Sequence, residues 1–271
     1  MTCLPYQPNT YNTLRYVDSV GGNYLYRGGA PLTSLPDPKN PECCILDPNN
    51  PESCLQVFDY DGLTRAIAAA PNPPCVPPPP ASNYFLVIVD LVHPDETGEI
   101  EPALNHFHEH PDQGQVHLWD TNGTPVCYFD TPDDKRAHLV ETIEQWLGDP
   151  LEWRVATLRN WLQDATQLPT PGPQGVPIVI YVHCDGGCDR TGEMIGAYRL
   201  RYMNESWTAA WGDQPCGRPL GCNNYRALQW YAFWLNQTQG FNLQHIGVDG
   251  GCTDPHIIHR ICSAPDGSRL P

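Results

Sequence analysis

The amino-acid sequence predicts an α/β fold, a central mixed sheet flanked by helices, and three observations carry that expectation. The apolar run Val176-Pro177-Ile178-Val179-Ile180-Tyr181-Val182 reads as a strand. A Gly-bearing loop over residues 183–192 follows it directly, and then a helix-like segment from Glu193 to Met203. Upstream, Leu139, Ile143, Trp146 and Leu147 recur at helical spacing.

Taken in order, residues 1–34 read as strand-rich. Residues 35–82 form an insertion rich in Pro and Cys, with a small duplication, Asp37-Pro-Lys-Asn-Pro-Glu-Cys-Cys44 and Asp47-Pro-Asn-Asn-Pro-Glu-Ser-Cys54. Asp-Pro and Asn-Pro steps force turns, so the duplication predicts two similar turns stapled by disulfides, with a calcium site from Asp37 and Asp47 as the weaker alternative. Gly62 to Ala70 reads as a short helix, and Pro77 to Pro80 as a stiff spacer. His106-Phe-His108-Glu-His110 places alternate histidines on one face of an extended segment. No Cys, Asp or Glu stands at a telling metal-ligand spacing from them, so a polar strand or helix edge is expected and no metal is assigned. Leu139 to Leu147 and Leu151 to Leu162 read as two helices divided by Gly148-Asp149-Pro150. Beyond the loop, Gly212 to Asn224 reads as a Gly- and Cys-bearing loop, Tyr225 to Leu235 as a helix, and residues 247–271 as a tail pinned by Cys252 and Cys262.

The loop His183-Cys184-Asp185-Gly186-Gly187-Cys188-Asp189-Arg190-Thr191-Gly192 carries the chemistry. Strand, Gly-bearing loop and helix in that order form an anion cradle, because successive backbone N–H groups and the helix N-terminus point at the loop centre. A thiol attacks phosphorus as the thiolate, and a helix N-terminus with a nearby cation lowers a cysteine pKa from about 8.5 to about 3.5–7.5. Cys184 stands where those groups surround its sulfur. The planar fork of Arg190 holds two phosphoryl oxygens at once. Thr191 can donate its hydroxyl to the sulfur. Gly186 and Gly187 are expected to supply positive φ and close approach to an anion, and Gly192 tight packing at the helix start. His183 is expected to orient the loop through a backbone hydrogen bond. With Asp185, Cys188 and Asp189, these residues make up the candidate substrate-binding loop. Cys188 has a second expected role, trapping an oxidised Cys184 as a disulfide, against the alternative of a small buried residue.

The spacing His-Cys, five residues, Arg, Thr resembles the signature of the cysteine-dependent tyrosine and dual-specificity phosphatases. The resemblance extends to Asn23-Tyr24-Leu25-Tyr26-Arg27-Gly28-Gly29-Ala30-Pro31, to Tyr84-Phe85-Leu86-Val87-Ile88-Val89-Asp90-Leu91 as an early core strand, and to the helix–turn–helix from Gly192 to Trp211. It implies a single phosphatase-like domain over residues 1–271, with residues 35–82 inserted in it. It implies hydrolysis of phosphate monoesters through a cysteinyl-phosphate intermediate, without a cofactor, with Cys184 as nucleophile and Arg190 and Thr191 in supporting roles. The family also uses an Asp on a mobile loop as general acid. Cys127-Tyr128-Phe129-Asp130-Thr131-Pro132-Asp133-Asp134 is the match, with Asp130 first and Asp133 second, although Asp130 lies 54 positions before Cys184, a long interval for the family. Asp133 or Asp134 as helix caps is the plainer alternative. An Asp before the loop Arg is also similar to the myotubularin and Sac phosphoinositide phosphatases, which makes Asp189 a third candidate acid.

The formal net charge of −16 opposes binding to nucleic acid or an anionic membrane surface. No apolar run approaches the roughly 20 residues of a membrane span. Asp185 and Asp189 make the loop acidic, and it carries no Lys, which disfavours highly phosphorylated substrates. A phosphotyrosine- or phosphoserine/threonine-bearing protein or a small phosphate ester is expected, with two alternatives. One is a phosphoinositide with a single phosphate; the other is a silent extracellular binding or structural protein on a phosphatase fold. Twelve cysteines and the sequons at Asn122, Asn204 and Asn236 favour an oxidising, secreted setting and glycosylation, with a cytoplasmic location as the alternative. The opening Met-Thr-Cys-Leu-Pro-Tyr has no basic-then-apolar signal.

Overall fold

The computed structural model describes residues 3–6, 8–80, 83–212 and 215–247. The tail expected around Cys252 and Cys262 lies outside them. The chain divides into two compact units, Met1–Trp119 with Leu162–Asp185, and Asp120–Trp161 with Gly186–Pro271.

The first unit holds the sheet. Strand β1 (Arg15–Val20) turns through Gly21 and Gly22, at φ of 62° and 89°, into β2 (Asn23–Gly29). Two positive-φ glycines in a two-residue connection match the twist of an antiparallel pair. The insertion contributes β3 (Leu32–Ser34), β4 (Pro36–Asp37), β5 (Asn40–Cys44) and β6 (Gln56–Phe58). Helix α1 (Tyr60–Ala69), β7 (Phe85–Asp90), α2 (Thr97–Glu109), β8 (Gly114–Leu118) and β9 (Ile178–Cys184) complete it. The main sheet has the order β1-β2-β9-β7-β8; β1 and β2 are antiparallel and the other pairs parallel. Every residue of β7 and β9 is buried, which is why both read as unbroken apolar runs. Period-two alternation puts Tyr24, Tyr26, Leu86, Ile88, Val179 and Tyr181 in one core with Leu63 and Ile67 of α1 and Ala103 and Phe107 of α2.

The duplicated turns are alike. Asp37 Oδ1 accepts from the Lys39 N–H and Asp47 Oδ1 from the Asn49 N–H, both at 2.8 Å. The repeats therefore use these carboxylates to close Asx-turns. Disulfides Cys3–Cys43 and Cys44–Cys54 hold the insertion. The histidine segment takes the helical of its two expected forms. His106 and His108 lie on α2, not on an extended strand, and His106 stacks on Tyr60 at 5.1 Å and bonds Gln113 at 2.9 Å. Helical geometry sets His108 off the side shared by His106 and His110, so the alternation does not gather three rings.

The second unit is helical: α3 (Asp133–Glu141), α4 (Ile143–Trp146), most of α5 (Leu151–Gln163), α6 (Asp189–Tyr202), α7 (Trp207–Gly212) and α8 (Cys222–Gln239). The helix expected from Leu139 to Leu147 is broken at Thr142. Helices α6 and α8 pack closely at Gly196, where a Cβ would come 2.7 Å from Leu228 Cδ2. Tyr128 stacks on Phe233 at 3.6 Å and edges Trp230, whose Nε1 donates to the Val126 carbonyl at 2.9 Å.

Candidate active site

Strand β9 delivers Cys184 at its last position, and parallel pairing sets Gly29 opposite Cys184 and both Gly28 and Asp90 opposite His183. The glycines of the Tyr-Arg-Gly-Gly segment have a local reason. A Cβ on Gly28 would run into Tyr181 Oη and stand 2.8 Å from its Cζ, and that hydroxyl donates to the Gly29 carbonyl at 2.8 Å. The Ala30 N–H donates to the Asp185 carbonyl at 2.7 Å, tying the residue after Cys184 to the end of β2. Cys184 is a buried thiol, 4% exposed. His183 is buried. Loss of solvent holds its imidazole below the ordinary histidine range, while Asp90, 3.8 Å from Nδ1, acts the other way. Burial lifts the Tyr181 hydroxyl well above the usual tyrosine range, and the neighbouring Cys184 adds to this, so it remains a donor.

The rest of the loop belongs to the second unit. Residues 185–188 form successive bends and α6 begins at Asp189, so Arg190 and Thr191 occupy its first turn. Arg190 is half-buried; Thr191 and Gly192 are buried. Gly187 has φ of 72°, as expected. Gly186 is not among the positive-φ residues, and a Cβ there would instead press on Cys188 Sγ at 3.3 Å. Cys188 is disulfide-bonded to Cys216. This corrects the expectation that Cys188 is a resolving thiol for Cys184 or a small buried residue, because its sulfur is already committed. Cys127 and Cys222 are disulfide-bonded too.

Asp189 takes two hydrogen bonds from Arg218, at 2.8 and 2.6 Å, and one from the Gly221 N–H at 2.6 Å. Burial alone raises its pKa, but the Arg218 and Gly221 bonds and the charges of Arg218 and Arg190 outweigh it and hold the carboxyl below its ordinary value. Asp130 is exposed on the turn 128–130. Its neighbours are anchored, since Thr131 Oγ1 donates to the Cys127 carbonyl at 2.8 Å and Arg136 donates to the Thr131 and Phe129 carbonyls at 2.8 and 3.2 Å. Asp133 opens α3 and pairs with Arg136 at 2.9 Å. Asp130, Asp133, Asp189, Arg190 and Thr191 thus lie in the second unit, and His183, Cys184 and Asp185 in the first.

Sequence reasoning missed two groups. Cys216 and Arg218 sit in a segment legible only as a Gly- and Cys-bearing loop. The buried pair Asp149 and Glu193 was also missed, although an acid on the first turns of a core helix was its signal. Asn224 Nδ2 donates to Glu193 Oε2 at 2.7 Å, and Glu193 and Asp149 share a hydrogen bond.

No family model and no curated protein matches the chain. Solved structures do. They include several phosphatases. One is the phosphatase Tk-PTP in a mutant form, at 12% identity, covering 84% of this chain and 99% of the other with a TM-score of 0.38. Another is the core catalytic domain of the PP-IP phosphatase SIW14 from S. cerevisiae, bound to citrate, at 15% identity, with coverages of 90% and 99% and a TM-score of 0.37. The kinase associated phosphatase with its catalytic cysteine replaced by serine matches at 12% identity, with coverages of 88% and 99% and a TM-score of 0.38. Likeness at this level carries no argument about chemistry, which rests on the residues of the loop.

Proposed function

We propose that this protein hydrolyses phosphate monoesters on phosphotyrosine- or phosphoserine/threonine-bearing proteins. The observation that carries the reading is Cys184 as a buried thiol at the end of a central strand, with a left-handed Gly187 and the start of α6 completing the His-Cys-x5-Arg-Thr spacing. In the first step the Cys184 thiolate attacks phosphorus, a P–S bond forms, the P–O ester bond breaks, and the Asp130 carboxyl protonates the leaving oxygen. Water then attacks phosphorus, gives its proton to Asp130, and the P–S bond breaks to return the thiolate. Arg190 holds the phosphoryl oxygens in both steps, and Thr191 steadies the sulfur.

Asp130 is preferred because its carboxyl is exposed on its turn, whereas Asp133 is engaged by Arg136 and Asp189 is held ionised by Arg218. A general acid has to carry a proton, and the pairing with Arg218 holds Asp189 in its ionised form. A protein substrate is preferred over a phosphoinositide because the cleft that reaches Asp185 also bears Asp47, Glu99, Glu101 and Glu109. Carboxylates there repel a polyanionic headgroup. Disulfides in the insertion and on the loop, together with exposed Asn204, support a secreted, glycosylated protein.

The test is hydrolysis of an aryl phosphate, alongside phosphopeptide and phosphoinositide panels. Cys184→Ser is expected to abolish turnover while keeping oxyanion binding. Asp130→Asn is expected to lower kcat by about 10²–10⁴-fold, the usual worth of a positioned acid. Activity unchanged in Cys184→Ser would end the reading, and activity retained in Asp130→Asn would remove Asp130 from it.

A further inference from the structure

We infer that the segment Cys216–Gly221 is a clamp that holds the anion loop in its binding form, with Cys216 and Arg218 as positioning residues; this rests on the phosphatase reading of the loop. Three bonds of different kinds converge on two adjacent loop residues. Cys188 is joined to Cys216 by a disulfide. Asp189, the next residue, takes a two-point ion pair from Arg218. The same carboxylate accepts from the Gly221 N–H, which ties the first residue of α6 to the residue before α8. Arg218 is itself oriented by donating to the Pro219 carbonyl at 3.1 Å.

The geometry at Gly221 leaves little slack. A Cβ there would stand 3.3 Å from Asp189 Cγ, so the segment lies against the carboxylate it clamps. Gly186 meets the same limit on the loop side, with Cys188 Sγ 3.3 Å from where its Cβ would be.

An anion cradle works when its N–H groups are already aligned before the anion arrives. A loop with two glycines in sequence loses conformational entropy in that alignment. The clamp removes this cost by fixing Cys188 and Asp189, the residues that join the bends to α6. It also assigns Asp189 a role: its negative charge, which by itself repels a phosphoryl group, is neutralised by Arg218. The two cysteine functions then have opposite redox needs, since the clamp requires Cys188 oxidised while the nucleophile must remain a thiol.

The experiment compares wild type with Cys188→Ser/Cys216→Ser, Arg218→Ala and Arg218→Lys, all without reductant. Readouts are tungstate affinity by calorimetry, the pH midpoint of Cys184 alkylation by iodoacetamide, and kcat and KM on an aryl phosphate. Misplacement of a loop by a fraction of an ångström to about 1 Å costs on the order of ten- to a hundredfold. Tungstate affinity and kcat/KM are therefore expected to fall at least tenfold in the double variant and in Arg218→Ala, with the alkylation midpoint shifted upward. Arg218→Lys should recover part of the loss, because it restores charge without the two-point fork. A general loss of folding does not move the alkylation midpoint in a folded fraction or respond to Lys, and Arg218→Ala keeps the disulfide should the double variant fail to fold. Tungstate affinity and alkylation within twofold of wild type in both the double variant and Arg218→Ala overturn the clamp. Wild type that binds tungstate yet turns over no phosphate ester sinks the phosphatase reading alone, with the clamp still decided by tungstate. Wild type that binds no oxyanion overturns both.

Discussion

Replacing Glu193 by Gln should flatten the pH dependence of stability, for reasons set by its surroundings. Glu193 and Asp149 are 0% and 1% exposed and hydrogen-bond to each other, so charging both carries a large desolvation penalty. Asp149 has the better stabilised anion. It accepts from the Asn122 N–H at 3.0–3.1 Å and from the Gly123 N–H, and Arg154 stands 3.7 Å away. Burial raises both carboxyls, and Glu193 is lifted well above its ordinary value by burial and by the charge of Asp149. The pair therefore holds one proton, placed on Glu193. The folded state keeps that proton where the unfolded chain, with a glutamate pKa of about 4.3, has lost it. Stability is accordingly highest at low pH in this respect. It falls by about 1.4 kcal/mol per pH unit as pH rises above about 4.3, and levels off above the raised pKa of the folded state. Gln keeps an acceptor for Asn224 and a donor toward Asp149 but does not titrate. Glu193→Gln should thus lose this slope and equal or exceed wild type in stability near neutral pH. Urea unfolding between about pH 4 and pH 8, followed by tryptophan fluorescence, measures it; seven of the eight Trp residues, all but Trp119, lie in the unit that holds the pair. An unchanged slope refutes the shared proton. A loss of about 3–5 kcal/mol near neutral pH refutes it differently, since that is the cost of breaking a buried ion pair and means Glu193 is charged against Arg154.

Gly187→Ala forces an L-residue to φ of 72°, and about 1–2 kcal/mol of strain should appear as a lower Tm together with weaker tungstate binding. Tyr181→Phe removes the donor to the Gly29 carbonyl and should cost about 0.5–1.5 kcal/mol in chemical denaturation, the net worth of one intramolecular hydrogen bond. Removing the Cys44–Cys54 bridge by double substitution to Ala opens a loop of sequence separation 10 and should cost about 2.8 kcal/mol on chain entropy, read by thermal unfolding. Gly114→Ala would drive a Cβ into the Leu86 carbonyl and to 2.6 Å from Phe107 Cε1, so β8 should lose its pairing with β7, seen as fast amide exchange at Leu86, Ile88 and Asp90, whose N–H groups face β8.

Elements governed by neighbouring residues were legible, and those governed by distant partners were not. Strands β7 and β9 showed as apolar runs because parallel strands buried on both faces need no polar alternation. The insertion turns showed because Asp-Pro and Asn-Pro steps act within four residues. The His106 segment stayed open between strand and helix edge because alternation over five residues suits either an exposed strand or a helix end. Its pairing with Tyr60 and Gln113, not its own pattern, settled the helix. The role expected of Cys188 failed for the same reason, since a thiol's nearest reactive partner in sequence is not its partner in space.

The sequence by itself determined the residue order of the loop. A Cys after a strand, then glycines, Arg and Thr fall within ten consecutive residues, and such local order survives without knowledge of the rest. Tertiary structure decided which of those residues are free for chemistry. Arg218, 29 positions after Asp189, turns that residue from a candidate acid into a clamped carboxylate, and Cys216, 28 positions after Cys188, takes its sulfur out of redox play. Proton affinity and thiol availability are set by what folding brings within about 4 Å, and spacing along the chain does not encode that.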